Sequence, residues 1–189
     1  QLTSLRLNNN SFDSAIPAQL GKLSKLTVLD LSQNQLSGQI PIGLAQLPKL
    51  QHLNLGENQL SGQIPQHLLS SHILTVNVSG NSLIGNIPAP ATSSALRNLF
   101  ARGNKLTGPV PAGLGSTRNL TVLDLSRNML SGQLPSTLAS ATLLEQLDLS
   151  FNKLSGALPA ELSNLHNVMV LHLNNNKFSG RMYLDLKSL

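Results

Sequence analysis

The segment LDLSQNQLSGQIP, residues 29–41, returns as LDLSRNMLSGQLP at 123–135 and as LDLSFNKLSGALP at 147–159. A phrase that recurs with only a few letters changed marks a repeat array, and the period decides the fold before any single element does. With the first aliphatic residue of each unit as position one, units begin at Leu2, Leu26, Leu50, Ile73, Leu96, Leu120, Leu144 and Val168. Five of the seven spacings are 24 residues, and the units starting at Leu50 and Ile73 are one residue shorter. Residues 1–189 therefore read as a single array with no linker. The nearest thing to a break in composition is PAPATSSA, residues 88–95, inside the fourth unit.

The fixed letters describe how one coil is built. Positions one, four and six are aliphatic, as in Leu120, Leu123 and Leu125, and positions four and six alternate with polar residues. That alternation predicts a short, half-buried strand in each unit. Such a strand satisfies its backbone only by pairing with its neighbours, so stacked units make a parallel sheet over one continuous core. Position nine is asparagine in every unit: Asn10, Asn34, Asn58, Asn81, Asn104, Asn128, Asn152 and Asn176. A carboxamide donates and accepts at once, which suits the backbone groups freed where the chain turns inward after the strand. Position thirteen is glycine in seven of the eight units, and position sixteen is proline in seven. Together they predict a turn and then an extended piece ending at proline.

Composition excludes several function classes. Charged residues are only 11% of the chain and aromatics 3%, with a net charge of +5. The positive excess lies in residues 96–189, nine Lys or Arg against five Asp or Glu. A nucleic-acid surface would want clustered bases and stacking aromatics, so no nucleic-acid partner is expected. Cysteine is absent, which excludes a disulfide framework and thiolate metal sites. His67 and His72 have no zinc-ligand spacing, and His52, His166 and His172 are scattered, so neither metal nor cofactor is expected. No nucleophile elbow, zinc-protease or phosphate-loop motif occurs, and the chain is not read as an enzyme. No run approaches the length of a membrane span, and the sequence starts directly in a repeat, with no signal peptide in view.

The pattern LxxLxLxxNxLSGxIPxxLxxLxx, carried by the units above, resembles the plant-type leucine-rich repeat. The resemblance implies an α/β-type solenoid: a right-handed coil of about eight repeats, with a concave parallel β-sheet and a second short sheet near the SGxIP segment. It is similar to the repeats of receptor-like kinase ectodomains and of polygalacturonase-inhibiting proteins, which are cell-surface or wall proteins. Such ectodomains usually carry cysteine caps at both ends, and here there are none. The array is accordingly expected to be a fragment of a longer ectodomain. Further departures are Ser14 in place of the first glycine, Tyr183 in place of the last proline, and Ala91 where other units have leucine.

The variable letters point to function. Strand side chains alternate, so positions three, five and seven are expected on the concave, solvent-facing side, with position eight at its lip. A solenoid recognises partners on that face. The fifth to seventh units are richest, with Phe100, Arg102, Arg127 and Phe151; together with Asp124, Asp148 and His172 these are the candidate partner-binding residues. Arg127 and Phe151 share one phase in adjacent units and should nearly touch, and arginine and aromatics dominate binding hot spots. Asp124 and Asp148 share a phase as well, but LDLS is common phrasing in such repeats, and a structural role suits them better than a catalytic pair.

The leading expectation is a non-catalytic module that binds a peptide or protein ligand, with a co-receptor or a secreted hydrolase as further partners. The resemblance places it in the extracellular part of a plasma-membrane receptor kinase. Alternatives are a cell-wall hydrolase inhibitor or an ice-binding repeat protein, which would need a flat regular array. Three N-glycosylation sequons, at Asn9, Asn77 and Asn119, are no more than chance supplies.

Overall fold

The structure, a computed structural model, describes residues 2–183 and Asp185. Eight three-residue strands form one parallel sheet in chain order: Ser4–Arg6, Val28–Asp30, His52–Asn54, Thr75–Asn77, Asn98–Phe100, Val122–Asp124, Gln146–Asp148 and Val170–His172. The register places equal positions side by side, so Leu29 pairs with Leu53 and Asp124 with Asp148. Position four is thus a file of leucine and valine, almost all of it buried under the sheet. Positions one, six, eleven, fifteen and nineteen join it, as Leu26, Leu31, Leu36, Ile40 and Leu44 do in the second unit, in one continuous core.

A second, interrupted sheet runs along the SG segments. Four strands, Ser37–Gln39, Gln59–Gln63, Ser82–Asn86 and Lys105–Thr107, form one part; Ser131–Gly132, Lys153–Gly156 and Lys177–Phe178 form the other. Position thirteen is left-handed in all eight units, at φ 75° for Gly38 and φ 69° for Ser14. That conformation is free for glycine and strained for serine. Each position-sixteen proline that precedes a helical turn sits just outside it, where its missing N–H costs nothing. Short 3-10 helices follow at Ala18–Lys22, Ala112–Ser116, Ser136–Ser140 and Ala160–Asn164, and a single α-turn at Ile42–Ala45. The third and fourth units have no helix, and Ala91 is only half-buried, so the fourth unit closes its coil loosely.

The asparagine ladder bonds as the sequence suggests, and it also ties units together. Asn128 Nδ2 donates to the carbonyls of Leu125 and Ser126 in its own unit and of Ala101 in the unit before. Its Oδ1 accepts the N–H of Leu106, again from the unit before. The same arrangement recurs at Asn34, Asn58, Asn81, Asn104, Asn152 and Asn176. Asn10 keeps only the bonds to its own unit. No buried side-chain nitrogen or oxygen among the described residues lacks a partner.

Candidate functional site

Position eight is the hinge on which the open face turns. All eight residues there are left-handed: Asn9, Gln33, Glu57, Gly80, Gly103, Arg127, Phe151 and Asn175, with φ between 54° and 66°. The backbone N–H at this position still donates to the next unit, as Arg127 does to Ser150 and Phe151 to Asn174. The left-handed residue therefore bends the chain off the strand without breaking the inter-unit ladder. Two glycines and two asparagines in this file were the sequence signal for a positive φ.

Positions five and seven work as a pair, and here the structure differs from the expectation that both face solvent. Ser32, Ser126 and Ser150, at position seven, are buried. The Asp124 carboxylate accepts the Ser126 N–H at 3.0 Å and its hydroxyl at 2.6 Å, and Asp148 does the same for Ser150 at 2.9 and 2.6 Å. Asp30 caps Ser32 in this way, and the amides of Asn54 and Asn77 accept the N–H of Gly56 and Ser79. A short carboxyl or amide at position five thus folds down over a small residue two places on. The LDLS phrase is the chemistry of this cap.

The cap is given up in three units, which hold Arg6 with Asn8, Phe100 with Arg102, and His172 with Asn174. Only the Phe100–Arg102 unit lies inside the array. There a half-buried aromatic replaces the acceptor, and an exposed arginine replaces the buried serine. The unit forgoes a bond worth about 0.5–1.5 kcal/mol and presents two large side chains to the open face.

Next to this gap stands the Arg127–Phe151 pair. The guanidinium carbon lies 4.5 Å from the ring centroid, a cation–π contact. Both residues hold φ 54°, where bulky side chains lose about 1–2 kcal/mol relative to the right-handed region. Phe151 is also 42% exposed. Gly80 and Gly103 show that the coil accepts an unstrained residue at this position. The left-handed turn is common to the file; what sets Phe151 apart is a large aromatic ring exposed on it and stacked by Arg127.

Arg102, Ser126, Arg127, Asp148, Ser150, Phe151, His172 and Asn174 line one shallow depression of about 310 Å³. Of the sequence candidates, the structure brings together Arg102, Arg127, Asp148, Phe151 and His172. Phe100 and Asp124 sit side by side in the sheet, Phe100 paired with Asp124, but outside the depression. Asp148 meets His172, Nδ1 to Oδ2, at 3.3 Å, an ion pair when the imidazole is protonated. Burial works to raise the Asp148 carboxyl, but the Ser150 hydroxyl and N–H, together with His172, outweigh it and hold it below its ordinary value. Its proton affinity is that of a carboxylate tied down by donors, not of a general acid. No group of three His, Asp or Glu among the described residues could hold a metal ion.

The leucine rich repeat family models match residues 1–60 and, with a second model, residues 119–141 and 143–165. No curated protein matches the chain. Among solved structures, the plant peptide hormone receptor RGFR1 in complex with RGF2 superposes with a TM-score of 0.91 at 30% identity over 94% of this chain. The ectodomain of the Arabidopsis receptor kinase HAESA, in complex with an extended IDA peptide hormone, superposes with a TM-score of 0.88 at 36% identity over 96%. A plant ice-binding protein superposes with a TM-score of 0.81 at 32% identity over 95% of this chain and 58% of its own length. The chain spans 29% and 31% of the lengths of the two receptor structures.

Proposed function

Because the chain belongs to the leucine-rich repeat family, we propose that it is a ligand-recognition segment of an extracellular plant receptor, which binds a peptide or protein through the open face of its main sheet. One observation carries the reading: the fifth unit gives up a capping bond and exposes Arg102, and the next two hold Arg127 and Phe151 in an exposed stack beside it, the three side chains lining one depression. The forgone cap and the exposure of Phe151 are repaid if these side chains meet a partner. The two receptor structures, each holding a peptide hormone, support the same reading.

In this account the parent protein sits in the plasma membrane, and a co-receptor is a second partner. Arg102 and Arg127 offer planar forks for a carboxylate, and Phe151 offers a ring edge for an aromatic or aliphatic side chain. The favoured ligand is an anionic or aromatic-bearing peptide. An ice-binding role fits this face poorly, because Phe100, Arg102, Arg127 and Phe151 break the flat regularity that it requires.

The test is selection from a displayed random-peptide library on the folded chain. Enriched peptides should carry acidic and aromatic residues, and they should lose binding to Arg127→Ala and Phe151→Ala. Selected peptides that bind both variants as well as the parent chain would refute this site.

A further inference from the structure

Of the three sequons, the folded chain treats each differently. The Asn77 carboxamide accepts the Ser79 N–H at 3.0 Å and is half-buried on the open face, close against Gly56. A sugar on its Nδ2 would leave the Oδ1 cap in place but would have to enter the packing against Gly56, which lies close to that nitrogen. Asn9 lies at the exposed, left-handed hinge of the first unit. Asn119 is exposed at the last position of the fifth unit, and its carboxamide makes no hydrogen bond among the described residues. Asn167, at the same position two units later, is by contrast tied to the Thr142 carbonyl at 2.7 Å.

Asn119 also lines a hollow of about 620 Å³. Its walls are hydroxyl-bearing: Thr92, Ser93 and Ser94 from the helix-free fourth unit, Ser116 and Ser140 from the next two, with Arg118 beside them. The hollow exists because the fourth unit lacks a helical turn to fill its place in the stack, while glycine at position 115 lets the following helix, at Thr137, come into contact. A cavity of hydroxyls and one guanidinium, with no aromatic or aliphatic wall, fits a polyhydroxylated ligand and suits no apolar one.

We propose that Asn119 is an N-glycosylation site and that the first sugars of its glycan lie in this hollow, covering residues 92–94. The Asn119 amide nitrogen bonds to the anomeric carbon of an oligosaccharide delivered on a lipid pyrophosphate. The sugar–phosphate C–O bond breaks, the lipid pyrophosphate leaves with the electron pair, and the amide gives up one proton. Thr121 supplies the hydroxyl of the sequon. In the folded chain that hydroxyl faces the Arg97 carbonyl and Asn98 Oδ1 at 3.1 and 3.0 Å, so Thr121 is then part of the structure. The proposal rests on the extracellular reading, since the sugar donor belongs to the secretory route.

The experiment fuses a secretion leader to the chain and expresses it in a eukaryotic host, which brings it to the transferase whatever its native compartment. Intact mass should show a glycan that Asn119→Gln removes and Asn77→Gln leaves in place. Hydrogen exchange in residues 88–95 should be severalfold slower in the glycosylated protein than after trimming to a single sugar or in Asn119→Gln. An unmodified Asn119 overturns the site. A modified Asn119 with unchanged exchange overturns the seating in the hollow. Secretion of the native parent is read separately, by locating it in its own cells, so a failure of the extracellular reading is not confused with either result.

Discussion

Replacing Asn128 with alanine removes one of the fully bonded, buried side chains of the inner ladder. Its Nδ2 donates to Ala101 O at 2.9 Å, Leu125 O at 3.0 Å and Ser126 O at 3.1 Å, and its Oδ1 accepts from Leu106 N at 3.0 Å. Ala101, Leu106 and Leu125 are fully buried, so water cannot take the place of the carboxamide. The Leu106 N–H is left without an acceptor, and an orphaned buried donor costs about 1–3 kcal/mol. The weakened carbonyls of Ala101 and Leu125 push the total toward the top of that range, about 3 kcal/mol. Asn10→Ala is the matched control. Asn10 is exposed and bonds only the Leu7 and Asn8 carbonyls, both at 3.2 Å. Its loss should stay within about 0.5 kcal/mol. Urea unfolding followed by circular dichroism reads both changes. Because repeat arrays can open in parts, exchange of the Leu106 amide is measured beside it and should accelerate in Asn128→Ala alone. Equal effects from the two substitutions would refute the claim that the ladder holds unit to unit.

Phe151→Asn should raise stability by about 0.5–1 kcal/mol, because asparagine tolerates the left-handed region that phenylalanine occupies under strain; a drop in melting temperature would show that the Arg127–Phe151 stack outweighs the strain. Gly115→Ala places a methyl on the Thr137 carbonyl oxygen and should cost about 1–3 kcal/mol as an overpacked contact, whereas a neutral result would mean that the helix at 136–140 slides aside freely. The folded Asp148 carboxyl lies below its ordinary value, so its contribution to stability is complete above the unfolded-state value of about 3.9 and is lost as pH falls through the lower folded value. Asp148→Asn should therefore flatten the acid limb of a stability-versus-pH curve, and between neutral pH and about 5 it should offset the curve without changing its slope; an unaltered acid limb would contradict the cap.

The coil was legible in the sequence because its rules are repeated. An asparagine at position nine of every unit reveals a backbone role, and the alternation at positions four and six gives the strand. The contact of Arg127 with Phe151 followed from shared phase alone, since equal positions are neighbours in a parallel register. The local turn was harder to read. The burial of Ser32, Ser126 and Ser150 arises from a side chain folding back over its own backbone, which neither periodicity nor strand alternation expresses. The positive φ at position eight was masked by Gln33, Glu57, Arg127 and Phe151, residues that rarely accept it, while Gly80, Gly103, Asn9 and Asn175 marked it in plain view. The 3-10 helices, and their absence from the third and fourth units, depend on how each coil closes against its neighbour; the one-residue shortening of those units, and in the fourth the PAPATSSA segment with Ala91, were the traces.

The most direct test of the account is a binding titration of a selected peptide against Arg127→Ala, with Asp30→Ala as control. Asp30 shares the open face but lies several units away, where it caps Ser32. Both chains must first show the parent's circular dichroism spectrum. The account predicts that Arg127→Ala weakens binding by about 2 kcal/mol or more, roughly thirtyfold, as a hot-spot residue does, while Asp30→Ala stays near the parent. Equal, small losses from both would contradict it and place the recognition surface elsewhere on the coil.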